Sequence, residues 1–313
     1  MQSGAEAEKI RLAMLDEVKK STQSRTDLFV QKSLKFVGQW QASERLNKCG
    51  RGRYCGNIYC KTCRDRMAVK LLDRFKTHLT YRPDRSASRE DYSRDNLRFV
   101  TVLHDLIPAD RHKVKQAQDR VRKEYRNFST KWGCWYQGAF EYELVDMAKV
   151  VTHIADVGSQ SRKKDSLLRK AGIKPDLIEE KDVSWTDKDG HKRTDYILLH
   201  THFLMDCGQN DWDDIATDMR RRWYGKNDVD ISTLYDFSIR TLDDSLYKLA
   251  SYPFKNRVKY HYDFGNFDWE KGSEDFEDII AFNANELLTL FEIYKHMMGT
   301  KKTDHLLSAN ARA

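Results

Sequence analysis

Hydrophobic residues recur at helical spacing in several parts of the chain and predict helices there. Within residues 1–45 the apolar positions include Ile10, Met14 and Val18, and residues 64–79 are rich in strong helix formers. Residues 109–131 predict a strongly basic helix. The remaining predicted helices lie within 150–182, at 210–225, from residue 242 onward and at 286–299.

Other stretches have the alternation, or the β-branched and aromatic content, that is typical of strands. Strands are predicted at 97–104 (LRFVTVLH), at 133–146 (GCWYQGAFEYELVD), at 194–205 and near 235–240. Residues 183–186 precede the third of these and predict a hairpin with Asp189-Gly190 in its turn. The polar residues 82–96, which include Pro83, predict an exposed loop.

The composition excludes some classes of protein and leaves others open. The chain has 313 residues, of which 33% are charged, and its net charge is +7. No apolar run approaches the roughly 20 residues that cross a bilayer, and the first residues lack the basic-then-apolar pattern of a signal sequence. We therefore expect a cytoplasmic protein without a membrane partner. The positive charge is compatible with a nucleic-acid partner but does not require one.

Two histidines lie one residue apart in the apolar strand YILLHTHFLMD. Because side chains alternate along a strand, His200 and His202 project to one face and can reach a single metal ion. Buried imidazoles need polar partners, and the neighbouring leucines offer none. A metal ion would satisfy both rings, and the alternative is a pair of ordinary buried histidines.

The preceding strand supplies candidate carboxylates for the same site. Glu141 and Glu143 are two residues apart and share a face, so one of them can complete the site while the other is a solvated charge at its rim. Two imidazoles and one carboxylate with open coordination positions suit a catalytic divalent ion.

Four of the six cysteines lie within fifteen residues and predict a second metal site. Cys49, Cys55, Cys60 and Cys63 supply the four thiolates of a closed tetrahedral zinc site. An iron–sulfur cluster and four unrelated reduced thiols are the alternatives. Cys134 and Cys207 have no partner by spacing, and we expect them to be buried thiols.

The order of these motifs resembles that of the HUH endonucleases, which include the rolling-circle replication initiators of plasmids and single-stranded phages. In that family a strand like FLTLT, a His-hydrophobic-His strand and a helix with Tyr-x-x-Lys follow one another. The corresponding positions here are Phe99–Leu103, His200 with His202, and Tyr252-Pro-Phe-Lys255. The segment CGRGRYCGNIYCKTCRDR is similar to the cysteine-rich segment that precedes the first motif in many plasmid initiators.

The resemblance covers about residues 45–260 and is specific mainly through the order of its motifs. Thr201 replaces the hydrophobic residue between the histidines, and Pro253 follows the candidate nucleophile. The segment between the glutamates and the histidines is longer than is usual in the family, which leaves the identity of the third metal ligand open.

The resemblance implies that Tyr252 attacks a phosphodiester with the help of the metal, forms a 5′-phosphotyrosine intermediate and later rejoins the strand. Lys255 follows at the family spacing, and Lys248, four residues before Tyr252, shares its helix face. Either lysine can steady the phosphate or the phenolate. Because the scissile phosphate must share an open, exchangeable site, we expect Mg²⁺ or Mn²⁺ at the histidines rather than zinc. Tyr247 diverges from Tyr252 by about 140° on a helix, and we expect it to pack in the core. Pro253 disfavours a helical conformation at Tyr252, so the helix should kink or end there.

The resemblance and the predicted strands together imply an α+β fold, with a central antiparallel sheet flanked by helices in the HUH, ferredoxin-like nuclease arrangement. The histidines should lie on a middle strand, with the tyrosine helix packed across their face. We expect a helical, zinc-binding N-terminal segment (1–80), an endonuclease domain (81–300) and a C-terminal tail (301–313).

Basic residues indicate a DNA-binding surface, although solvated helix faces are the alternative for each segment. The candidates are Arg51, Arg53, Arg64, Arg66, Arg220, Arg221 and Arg222. The expected partners are single-stranded or hairpin origin DNA and a host helicase and polymerase, since the chain has no Gly-x-x-x-x-Gly-Lys motif of its own. The sequence leaves the oligomeric state open.

Two other classes of function remain open. A metal-dependent hydrolase could use His-x-His to activate water. A non-catalytic, zinc-containing nucleic-acid-binding protein would leave Tyr252 dispensable.

Overall fold

The computed structural model describes residues 25–49, 54–55, 57–157, 162–174, 182–223, 228–234, 241–254, 284–297 and 306–309. The helix predicted before residue 25 and the strand predicted near 235–240 lie outside the described residues. The helices are α1 (Arg25–Phe36), α2 (Trp40–Asn47), α3 (Lys61–Thr80), α4 (Arg89–Asn96), α5 (Arg111–Trp132), α6 (Met147–Val157), α7 (Arg162–Lys170), α8 (Trp212–Arg222), α9 (Leu242–Ser251) and α10 (Ala284–Met297). The strands are β1 (Leu97–Pro108), β2 (Trp135–Asp146), β3 (Trp185–Thr186), β4 (Lys192–Arg193), β5 (Asp195–Asp206), β6 (Val229–Thr233) and β7 (Leu306–Ala309).

Among the described residues five strands form one sheet, in the order β6-β1-β5-β2-β7, and every neighbouring pair is antiparallel. The prediction of an α+β fold with a central antiparallel sheet and helices on its faces is therefore confirmed. The histidine strand β5 is the middle strand, as predicted. Its burial on both faces explains its apolar sequence, because neither face is left to solvent.

The register of the three long strands places the candidate residues side by side. Glu141 on β2 lies opposite His200 on β5, and Ala139 lies opposite His202. On the other side of β5, Thr101 of β1 lies opposite His202. Directly opposite residues on neighbouring strands have side chains on the same face of a sheet. We call the face that carries His200, His202 and Glu141 the histidine face.

Helices cover both faces of the sheet. On the histidine face, α3 reaches β2 through a hydrogen bond from Arg74 to Gln137, and α9 packs against α3. On the opposite face, Tyr125 of α5 and Tyr294 of α10 contact β5 and β2. One hydrophobic core extends from α1 and α2 through α3 to the sheet. The division of the chain at residues 80 and 300 stays a prediction.

The prediction of a loop over 82–96 is wrong in its second half, where α4 begins at Arg89. The Ser88 hydroxyl accepts a hydrogen bond from the Asp91 amide at 3.0 Å and so caps the helix. Tyr92 anchors the helix from within, because its buried hydroxyl donates to Asp206 at 2.6 Å. The polar composition masked this helix, since its stability depends on a tertiary contact that no local pattern contains.

The other differences concern strands. The predicted hairpin exists as the short pair β3–β4, with Gly190 at a φ of 83° in its turn, while β5 begins at Asp195 and pairs elsewhere. Strand β1 continues past residue 104 to Pro108, and β6 has no counterpart among the predicted strands. Among the described residues no helix has both the length and the apolarity needed to cross a bilayer.

Candidate metal centre and active site

Glu141, His200 and His202 form a compact group on the histidine face. Their ligand atoms all lie within 4.8 Å of one another, and all three side chains are buried. The Nε2 atom of His202 lies 2.7 Å from Oε2 of Glu141. We call these three residues the metal cluster. Two imidazoles and a carboxylate are a suitable donor set for a divalent ion, so the residues fit the metal that the sequence predicts.

Glu143 is also part of this buried environment. Its Oε2 atom lies 3.3 Å from Nε2 of His200, and its side chain is only 4% exposed. The expectation that the second glutamate is a solvated rim charge is therefore wrong. The structure brings both glutamates to the histidines, but only Glu141 has a carboxylate oxygen within 4.8 Å of ligand nitrogens of both rings.

Thr101 fixes the orientation of the His202 ring through a contact with its Nδ1 atom. Its Oγ1 atom lies 3.0 Å from Nδ1 of His202, on the side of the ring away from Glu141. When Nε2 donates to Glu141, Nδ1 accepts from the threonine hydroxyl. When Nε2 offers its lone pair to a metal, Nδ1 can donate to the same oxygen, because a hydroxyl both donates and accepts. Sequence reasoning missed Thr101, although its place in FVTVLH, once β1 is paired with β5, points to it.

Tyr252 lies directly against the metal cluster. Helix α9 ends at Ser251, and residues 252–254 form a turn of 3₁₀ helix. The prediction that the α-helix ends next to Pro253 is confirmed, although Tyr252 itself keeps helical dihedral angles (φ −57°, ψ −46°). The centroid of its ring lies 4.9 Å from that of His202, edge to face, and 5.8 Å from that of Phe99.

The neighbouring candidates are placed differently. Tyr247 is 52% exposed, so the expectation that it packs in the core is wrong. Lys248 is an exposed residue of the last turn of α9. Lys255 lies outside the described residues. Of the two tyrosines, Tyr252 is therefore the one that contacts a ring of the metal cluster.

The four clustered cysteines also converge. Their sulfur atoms lie within 4.8 Å of one another, with 3.4 Å between Cys49 and Cys63 and 3.6 Å between Cys55 and Cys63. These separations are too long for a disulfide, whereas four thiolates about 2.3 Å from a zinc ion would be separated by about 3.8 Å. The residues therefore fit a closed tetrahedral site. Cys134 and Cys207 are buried as predicted, and burial raises the pKa of Cys134 to about 12 and that of Cys207 to about 11.

Two arginines of the candidate DNA-binding set lie beside the cysteine segment. Arg64 donates to the carbonyl of Ile58 at 2.9 Å, and the guanidinium of Arg66 lies 3.9 Å from the centroid of the partly exposed Tyr54 ring. Arg51 and Arg53 lie outside the described residues.

The other three arginines of the set, Arg220 to Arg222, lie in the last turn of helix α8. Arg221 and Arg222 both reach the buried carboxylate of Asp218, at 2.6 and 3.3 Å, and Arg220 is exposed. Burial, the largest single influence, raises the pKa of Asp218. Hydrogen bonds from Lys131, Trp132 and Arg221 and the charge of Arg222 outweigh it and hold that pKa well below its usual range. Trp223, the residue that follows these arginines, is buried.

Comparison of the chain with models of protein families, with curated proteins and with solved structures finds no match.

Proposed function

We propose that the protein nicks and rejoins single-stranded DNA through a tyrosine nucleophile, as a replication initiator of the HUH type. One observation carries this proposal: Tyr252 lies edge to face against His202, at 4.9 Å between ring centroids, beside a buried group of two histidines and a glutamate. A nucleophile next to a set of metal ligands is the arrangement that metal-assisted attack on a phosphodiester needs.

The order of elements supports the same proposal. The strand that resembles the first family motif is β1, and it pairs directly with the histidine strand β5. The candidate third ligand comes from β2 on the other side of β5. Phe99 of β1 lies parallel to the ring of His202, with 6.2 Å between centroids, and also contacts Tyr252. Described residues of all three motifs of the resemblance therefore meet at one place.

In the proposed reaction the phenol oxygen of Tyr252 forms a bond to phosphorus and the P–O3′ bond breaks. The products are a 5′-phosphotyrosine and a free 3′-hydroxyl, and the proton lost by the phenol is matched by the one that the 3′-oxygen gains. When bound, a divalent ion supplies positive charge that offsets charge on the scissile phosphate. Attack of a 3′-hydroxyl on the phosphotyrosine reverses the step, because the ester keeps the energy of the broken bond.

The protein environment suits this chemistry in two ways. Burial of the metal cluster strengthens each electrostatic interaction within it, because the local dielectric is low. The 3₁₀ turn ties Tyr252 to the end of α9, and Pro253 and Phe254, both buried, anchor the turn. The phenol is therefore carried by a turn whose other two residues are buried.

The remaining parts of the proposal are a structural zinc at the four cysteines, a basic surface beside it for DNA phosphates, and Mg²⁺ or Mn²⁺ at the metal cluster. The substrate would be single-stranded or hairpin origin DNA in rolling-circle replication, with helicase and polymerase supplied by the host.

The test replaces Tyr252 by phenylalanine and incubates the protein with end-labelled single-stranded origin DNA and Mn²⁺. Loss of one oxygen should eliminate both nicking and the covalent adduct on a denaturing gel, while the folded state is retained because the ring remains. Tyr247→Phe is the matched control. This variant loses an exposed hydroxyl on α9, the helix that leads into the turn of Tyr252, and should keep most of the activity.

The alternatives make different predictions in the same assay. Adduct formation by Tyr252→Phe but not by Tyr247→Phe would mean that Tyr247 is the nucleophile. Normal cutting by both variants without any adduct would favour a hydrolase that activates water. A wild-type protein that binds DNA but never cuts it would favour a non-catalytic binding protein.

A further inference from the structure

Thr201, the residue between the two histidines, belongs to a hydrogen-bonded group on the opposite face of β5. The hydroxyl of Tyr125 lies 2.7 Å from Oγ1 of Thr201, and Nε2 of His104 lies 2.9 Å from the same atom. The third side of the triangle, from the Tyr125 hydroxyl to Nε2 of His104, is 3.2 Å. We call His104, Tyr125 and Thr201 the buried triad.

The buried triad lies in apolar surroundings, where a polar atom without a hydrogen bond would lower the stability of the fold. Tyr125 and Thr201 are fully buried, and His104 is 2% exposed. The rings of Trp223 and Phe203 pack against Tyr125, with centroids 4.6 and 5.0 Å away. A valine at position 201 would fill the same volume without a polar atom. Three mutually bonded polar groups in an aromatic core therefore need an explanation other than packing.

Strand register supplies that explanation. A strand that is apolar on both faces has no alternation of polar and apolar residues to fix its register, and a slip by one residue moves every side chain to the other face. In β5 such a slip would carry His200 and His202 away from Glu141 and bring Thr201 to the histidine face. The hydroxyl of Thr201 opposes the slip, because it would lose both of its buried partners.

An irregularity in the neighbouring strand β1 contains His104, the partner of this hydroxyl. The pairing of β1 with β5 is interrupted by an irregularity between Leu103 and Leu106, and His104 lies within it. Such bulges re-aim a side chain and are common next to active sites. The ammonium of Lys170 bonds the carbonyl oxygens of both Leu103 and His104 and so holds the irregular segment.

We propose that the buried triad positions the metal-binding histidines from the far side of the sheet. By holding Thr201 it fixes the register and rotation of β5, so that His200 and His202 face Glu141. Its three members are positioning residues, since they meet at Thr201 on the face of β5 opposite to the metal cluster. This inference rests on the metal-binding part of the proposed function but not on the tyrosine chemistry.

The experiment measures Mn²⁺ affinity by electron paramagnetic resonance of the free ion, in the zinc-containing protein. Binding that is absent from the His200→Ala/His202→Ala variant defines the metal cluster. Thr201→Val should lower this affinity at least about threefold, but less than the roughly 10- to 100-fold that is typical when a direct partner of a ligand is lost. Thr101→Val removes such a direct partner of His202. Its loss of Mn²⁺ affinity should therefore be larger than that of Thr201→Val.

Further variants separate positioning from general destabilisation. Tyr125→Phe should lower the Mn²⁺ affinity as well, and combining it with Thr201→Val should add less than the sum of the single effects, because both act through one group. Thr201→Ser, which keeps the hydroxyl, should restore the affinity. Tyr136→Phe is the matched control: this buried tyrosine lies on the same face, and its hydroxyl has no hydrogen-bond partner among the described residues.

The outcomes are distinct. Lower thermal stability with wild-type Mn²⁺ affinity in both Thr201→Val and Tyr125→Phe would overturn the inference and leave the proposed function standing. Equal weakening of Mn²⁺ binding by Tyr136→Phe would overturn it as well. If the variants behave as expected but wild-type protein forms no DNA adduct, the inference stands and the nicking proposal fails. Should Thr201→Val not fold, Tyr125→Phe and Thr201→Ser decide the question.

Discussion

Gly138 allows β2 to approach β5 beside the metal cluster, and a methyl group at this position should disturb both the fold and the cluster. A Cβ atom built on Gly138 would lie 2.1 Å from the carbonyl oxygen of His202 and 2.2 Å from Cβ of Phe203. Neither atom is at the end of a flexible side chain, so one of the two strands must move. Overpacking of a core typically costs about 1–3 kcal/mol, and a clash with strand backbone places Gly138→Ala at about 3 kcal/mol or more.

Two measurements test this prediction. Urea denaturation followed by circular dichroism gives the loss in free energy of unfolding, and Mn²⁺ titration reports on the cluster. Because Glu141 lies three residues along the same strand, a shift of β2 changes the 2.7 Å contact between Glu141 and His202 and should weaken Mn²⁺ binding. Gly190→Ala is the control. Its φ of 83° should cost about 1–2 kcal/mol by backbone strain, but the site is open and lies in the turn of the separate sheet β3–β4, so Mn²⁺ binding should not change.

Either of two results would refute the reasoning. A Gly138→Ala protein as stable as wild type would show that β2 and β5 do not approach so closely in solution. A large loss of stability with unchanged Mn²⁺ affinity would show that the close approach of the strands has no bearing on the cluster.

Two further predictions concern the metal sites. His200→Ala/His202→Ala should abolish cleavage but leave the affinity for single-stranded DNA in a fluorescence anisotropy assay nearly unchanged, because phosphate contacts come from lysines and arginines; loss of binding together with cleavage would indicate a structural role. Metal analysis should find about one zinc per chain, lost on Cys60→Ser or Cys63→Ser. A folded, active protein without metal would contradict the zinc prediction.

The sequence predicted the site best where the relevant spacing is short. Alternation along β5 correctly placed His200 and His202 on one face, and the spacing of the four cysteines correctly brought their sulfurs together. The end of α9 next to Pro253 was also predicted correctly, but the expectation of a non-helical conformation at Tyr252 was wrong, since Tyr252 keeps helical dihedral angles. Each of these predictions needed only the geometry of one element.

Features that depend on contacts between residues far apart in the chain could not be predicted from the sequence. Helix α4 depends on the bond between Tyr92 and Asp206, which are 114 positions apart. The partners of Thr201 come from another strand and from α5, so no local pattern could distinguish its hydroxyl from a tolerated substitution. The close approach at Gly138 likewise appears only when β2 is paired with β5.

The choice between Glu141 and Glu143 shows how register resolves an ambiguity that alternation leaves open. By sequence the two glutamates are equivalent, since they share a face of β2. Pairing sets Glu141 opposite His200, where its carboxylate lies within reach of both histidines, whereas Glu143 lies opposite Leu198 and its carboxylate lies 3.3 Å from Nε2 of His200. Two carboxylates buried to 2% and 4% exposure are costly without a cation, so both should favour metal binding, but only Glu141 as a ligand.

Replacement of each glutamate by glutamine keeps its shape and removes its charge. Glu141→Gln should lower the Mn²⁺ affinity more than about 100-fold, because a ligand is lost, and Glu143→Gln roughly 10- to 100-fold, as is typical when a direct partner of a ligand is lost. The titration used for the buried triad measures both, and circular dichroism confirms that each variant is folded. The reverse order of the two effects would make Glu143 the third ligand. It would also mean that β2 must shift on metal binding, which the Gly138→Ala variant would then promote rather than impede.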